Sequence, residues 1–156
     1  MGTTAYRNEV YNVAAAHWQN VIDSPVKLSG DEEFKAMALG TITFLTYHGL
    51  GVKQDRIAAV RNWKQAVRQG DLEARRHLGE AYADEKFKEQ DLIKALGWYE
   101  SIFMLFSSAD KVPEDDQSIY QDAKQSSEKL KHKLSESQIK NAMQFAKSTL
   151  RKYPQN

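Results

Sequence analysis

The feature that most constrains this chain is a match to itself at a fixed step. Laid beneath Ala36 to Gly70, the stretch Leu72 to Phe106 aligns without a gap at an offset of 72 − 36 = 36. Identities fall at Ala38/Ala74, Gln54/Gln90, Asp55/Asp91, Ile57/Ile93 and Ala59/Ala95. Apolar equivalents are Ile42/Leu78, Val60/Leu96 and Trp63/Tyr99. A module of this length is too short to bury an apolar face alone, so the period predicts helical hairpins stacked on one another.

Each module carries helical spacing. Apolar or small residues recur at steps of three and four, as in Leu78-Ala81-Tyr82 and Leu92-Ala95-Leu96-Tyr99. Ala38, Ala74, Ala59 and Ala95 are small where two helix backbones must approach. Asp55 and Asp91 stand directly before the second helix of each module, where a carboxylate accepts orphan backbone N–H groups and faces the positive helix end.

The stretch "TYHGLGVKQD", Thr46 to Asp55, poses a choice. Its two glycines could belong to a phosphate-binding loop or to a chain reversal. A phosphate loop follows a strand, and a Walker loop continues Gly-Lys-Ser/Thr. Here the preceding segment is helical and the following residues are Val52-Lys53-Gln54. The turn reading is the better one, with positive φ expected at Gly49 and Gly51. Gly70 closes the first module.

Composition narrows the function classes. The 22 basic and 21 acidic residues give a formal net charge of +1, without the basic excess of a nucleic-acid binder. There is no cysteine, which excludes disulfides, thiol nucleophiles and thiolate metal sites. No apolar run reaches the ~18 residues of a membrane helix, and Met1-Gly2-Thr3-Thr4 does not open a secretory signal.

The module resembles the Sel-one-like repeat (SLR) family, relatives of the tetratricopeptide repeats. The first copy has the family's Ala36, Ala38, Gly49, Gly51, Val52, Asp55, Ala59, Trp63, Ala66 and Gly70, and departs from it at Ile42-Thr43 and Thr46. The second has Ala74, Leu78-Gly79, Tyr82, Asp91, Ala95, Trp98 and Tyr99, with Glu85-Lys86-Phe87-Lys88 where the family has a glycine turn. Ala5 to Trp18 is similar to the opening of bacterial members, with Glu9-Val10 replacing Gly-Asp, and is read as one helix from about Thr4 to Ile22. Leu134 to Leu150 looks like their closing helix and carries a capping box, Ser135 with Gln138.

The resemblance implies an all-α fold: a short right-handed α/α superhelix of antiparallel helix pairs with terminal capping helices, six to seven helices in all. The expected organisation is one domain over residues 1–156. It comprises an N-terminal helix and linker (1–30), repeat one (36–70), repeat two (72–106) and C-terminal capping helices (115–153). Asp23–Gly30 and Ser107–Glu114, each with a proline, read as longer connections. "DDQSIYQDAKQSSEKLKHKL" reads as a charged amphipathic outer helix begun at Asp115 or Asp116.

No catalytic, metal or cofactor site is expected. His17, His48, His77 and His132 do not pair at ligand spacing. The carboxylate triplets Asp31-Glu32-Glu33 and Glu114-Asp115-Asp116 sit where helices start, and their charge suits that place. Trp18, Trp63, Trp98, Tyr82 and Tyr99 fall on packing positions. Arg56, Arg61, Lys64 and Arg68, with Arg75 and Arg76 nearby, read as a solvated surface, or alternatively as a patch for an acidic partner.

By analogy with tetratricopeptide arrays, the first helix of each module lines a concave groove. Those positions are Met37, Gly40, Phe44 and Tyr47, then Glu73, Arg76, Glu80 and Ala83. Phe44, Tyr47, Glu73, Arg76 and Glu80 are the expected partner-binding residues, aromatic anchors beside charged selectors. The resemblance then implies a non-catalytic adaptor that holds a protein segment, a monomer without nucleic acid, membrane insertion or cofactor. The alternatives are an immunity protein neutralising a cognate bacterial toxin, and, from another class, a cell-wall hydrolase. Relatives of this kind are often exported, so the resemblance implies a periplasmic location if a signal peptide was removed, and a cytoplasmic one otherwise.

Overall fold

The computed structural model describes residues 2–25, 27–106 and 108–154, with side chains from Glu9 onward. The described residues form seven α-helices and no strand. In chain order these are α1 (Gly2–Asp23), α2 (Asp31–His48), α3 (Arg56–Arg68), α4 (Leu72–Ala83), α5 (Leu92–Phe103), α6 (Gln117–Lys131) and α7 (Glu136–Lys152). The all-α expectation therefore holds, and the N-terminal segment is one helix slightly longer than the spacing suggested. Contacts divide the chain into two compact units, Met1–Trp63 and Lys64–Asn156, with the boundary inside α3 and so inside repeat one.

In the first unit α1 packs against α2. The turn after α2 has φ +67° at Gly49 and +68° at Gly51, the left-handed values the sequence asked for. The second glycine has a further reason. A Cβ at Gly51 would collide with the backbone of α1 at Tyr11 and Asn12, so the turn and α1 touch main chain to main chain.

In the second unit α5 is the central helix, packed against α4, α6 and α7. Its buried run includes Ala95, Leu96, Trp98, Tyr99 and Ile102. Trp98 meets Phe145 of α7 edge-on at 5.7 Å and Tyr153 at 5.9 Å. Trp63, Tyr82 and Tyr99 are buried as their positions implied, whereas Trp18 is only half-buried. The capping box of α7 is formed in full: Gln138 N–H donates to Ser135 Oγ at 3.2 Å, and Ser135 N–H to Gln138 Oε1 at 2.9 Å.

The connection before α6 is more ordered than a loop reading suggests. It contains two 3-10 turns, Ala109–Lys111 and Glu114–Asp116. The side-chain amide of Gln117 donates to the Val112 carbonyl at 2.9 Å and to that of Ala109 at 3.3 Å, and Val112 is buried. Satisfying those carbonyls from one amide holds the segment in turns.

The two repeats are wired alike. The N–H of Asp55 donates to the Thr46 carbonyl at 3.0 Å, and that of Asp91 to Tyr82 at 2.9 Å. The Gln54 amide reaches the Tyr47 carbonyl at 3.2 Å, and the Gln90 amide reaches Ala83 at 3.3 Å. Asp55 caps Ala58 N–H at 2.9 Å, and Asp91 caps those of Ile93 and Lys94, both at 3.0 Å. Every such pair differs by 36, as in 82 − 46 and 83 − 47. The Gln-Asp dipeptide thus closes both reversals, and the second copy dispenses with the glycines. At the position of Gly51 it places Phe87, buried against Tyr82 at 5.7 Å.

Asp91→Ala should therefore lower stability by about 1 kcal/mol, since two capped N–H groups lose their acceptor. A denaturant midpoint within error of the parent protein would show the cap to be idle.

Candidate functional site

The α2 face is apolar and open. Phe34, Met37 and Phe44 are 61%, 50% and 37% exposed, and they lie at helical spacing on one stripe that continues to the exposed His48. The Phe44 ring leans on His48 at 4.4 Å between centroids. Thr41, between Met37 and Phe44, turns its hydroxyl back to the Met37 carbonyl at 3.0 Å. A stripe of this kind on a helix surface is uncommon unless something packs on it.

Tyr47 does not share that stripe. It is 3% exposed, its ring lies 5.3 Å from Trp63, and the Arg56 guanidinium sits over it at 5.5 Å. The expectation of Tyr47 as a partner-facing anchor is therefore corrected: it belongs to the core of its own unit. Its equivalent in the second repeat, Ala83, is half-buried.

The α4 face is charged and largely paired within itself. The Arg76 guanidinium bridges two carboxylates, Glu73 at 2.9 Å and Glu80 by a short contact. His77 Nδ1 lies 3.0 Å from Glu80 and its Nε2 lies 3.8 Å from Glu73. Burial works to raise the Glu80 carboxyl, but the His77 hydrogen bond and the Arg76 charge hold it below the usual carboxylate range. Burial pushes the Tyr99 phenol up, with the Glu80 charge adding to the effect. Glu73 and Glu80 remain about half exposed while Arg76 is largely covered. The face thus offers carboxylate oxygens outward more than it offers a guanidinium.

The basic-surface reading requires a second correction. Arg75 is fully buried. Its guanidinium donates to Ser101 Oγ at 3.1 Å, Thr149 Oγ1 at 3.3 Å and the Tyr153 carbonyl at 3.2 Å, and it lies over the Trp98 ring at 5.9 Å. Burial pulls it down to about 10, so it is still a cation at neutral pH. The signal for this was present: Arg75 stands three residues before Leu78 and seven before Tyr82, on the buried face. Glu100, also buried, is compensated by Lys131 Nζ and Ser127 Oγ, each at 2.6 Å.

Among the described residues no His, Asp and Glu come together as a metal-binding group, and no helix is long and apolar enough to cross a membrane. No protein-family model matches the chain, and no curated protein sequence matches it. Among solved structures it is similar to that of c5321, a protective antigen present in uropathogenic Escherichia coli strains displaying an SLR fold. The TM-score is 0.60 at 18% identity, and the match covers 94% of this chain. The chain spans only 30% of that protein's length. At this identity the likeness shows the fold: helices packed in neighbouring pairs as in an SLR protein.

Proposed function

We propose that this chain is a non-catalytic adaptor that binds another protein through the first helices of its repeats. The observation that carries the reading is the exposed stripe Phe34, Met37 and Phe44 on α2. Burying three such side chains against a partner supplies hot-spot energy, since each apolar side chain contributes about 1.5–3 kcal/mol when taken fully from water. In its own unit the α4 face, Glu73, Arg76 and Glu80, contributes selectivity: two carboxylates around one guanidinium favour a segment carrying a positive charge over one carrying a negative charge. Interaction scaffolding is the usual work of helical repeats, which adds weight without specifying a partner.

The reading is tested by comparing the parent protein with a Phe34→Ser, Met37→Ser, Phe44→Ser variant as bait in an extract of the native host. The substituted residues are exposed, so helicity and melting temperature should stay near those of the parent. Bands captured by the parent should be lost from the variant. Equal capture by both would remove α2 from the binding surface.

A further inference from the structure

Three cationic groups surround Tyr153, and none of them contacts a carboxylate among the described residues. The Arg68 guanidinium lies 5.1 Å over the ring, the Lys152 ammonium lies 5.6 Å from it, and the buried Arg75 donates to the Tyr153 carbonyl. The partners of Arg75 are two hydroxyls and a carbonyl, and its Nε finds no acceptor. Lys64, one helical turn before Arg68 on α3, rests over the Tyr82 ring at 5.4 Å. Elsewhere in this unit Glu100 is matched by Lys131, and Arg76 by Glu73 and Glu80. A buried cation held by neutral oxygens and an aromatic ring, with no carboxylate, is costly, and its field reaches the surface weakly screened.

We infer that Lys64, Arg68 and Lys152, reinforced by Arg75 beneath them, form a docking surface for an acidic segment of a partner protein. Carboxylates placed over Arg68 and Lys152 would complete the charge that the fold leaves unmatched, and the Arg68 guanidinium, planar and already steadied on the Tyr153 ring, suits a two-pronged carboxylate contact. A nucleic acid fits less well. Tyr153 is buried and offers bases no stacking platform, and the exposed Arg68 and Lys152 with the half-buried Lys64 fall short of the roughly six to ten phosphate contacts that make such binding strong. This surface shares no residue with the α2 stripe, so either proposal can fail alone.

The test uses a fluorescein-labelled peptide of glutamates as the probe, titrated with the whole protein at low salt and followed by fluorescence anisotropy. Arg68→Glu with Lys152→Glu should weaken binding by about tenfold or more. Lys86→Glu with Lys88→Glu changes net charge equally at two exposed turn residues and should leave binding within about twofold. Should the reversal pair fail to fold, Arg68→Gln with Lys152→Gln is to show a smaller loss in the same direction. The inference is overturned if the parent does not bind the probe, or if both charge-reversal pairs lose binding alike. It is equally overturned if an oligothymidylate of matched charge binds as tightly as the glutamate peptide.

Discussion

Replacing Trp98 with alanine is expected to destabilise the Lys64–Asn156 unit by about 3–5 kcal/mol, the range for emptying an aromatic site in a packed core. Trp98 is 1% exposed and holds three elements at once. Its ring meets Phe145 of α7, Tyr153 just beyond α7, and the Arg75 guanidinium from α4. The loss therefore exceeds the area removed: the buried cation also loses the ring it lies against. Chemical denaturation of the parent, Trp98→Ala and Trp18→Ala should separate the two tryptophans, because Trp18 is only half-buried and cannot collapse a core. A Trp98→Ala midpoint matching that of Trp18→Ala would place the centre of this unit elsewhere.

Gly51→Ala is the second large effect, expected to cost about 2–5 kcal/mol. About 1–2 kcal/mol comes from placing a Cβ on a left-handed residue, and the remainder from overpacking against α1. The neighbour is the main chain at Tyr11 and Asn12, which has no rotamer to give. Gly49→Ala is the matched control. Its φ is nearly the same, but its Cβ would meet the side chain of Gln54 at 2.9 Å, which can swing aside. Thermal melts should therefore rank Gly51→Ala clearly below Gly49→Ala, with limited proteolysis showing earlier cleavage in α1. Equal melts would mean that α1 does not press on the turn.

Both predictions rest on positions the repeat exposes, yet the sequence accounts for them unequally. Asp55 and Asp91 were readable as caps because those bonds close within three residues along the chain, whereas Gln54 and Gln90 showed only as an identity of the repeat. The helix starts, the positive φ at Gly49 and Gly51 and the capping box at Ser135 are local in the same sense. The candidate site was read less well. Phe44 is exposed on α2 as expected, and Glu73 and Glu80 face outward on α4, but Tyr47 turned inward against Trp63. Helical spacing places a residue on a face; it does not say which neighbour lies opposite that face.

The amino-acid sequence by itself determined the period of 36, the helical character of each segment, the aspartate caps that begin the second helices and the glycine turn after α2, because these depend on residues a few positions apart. Tertiary structure alone decided which equivalent positions are buried. Leu39 and Arg75 share one register of the repeat (75 − 36 = 39), yet the leucine is exposed and the arginine is enclosed. The enclosing partners, Thr149 and Tyr153, lie 74 and 78 residues further along the chain. Burial is set by what packs opposite a residue, and a repeat specifies its own faces without specifying what covers them.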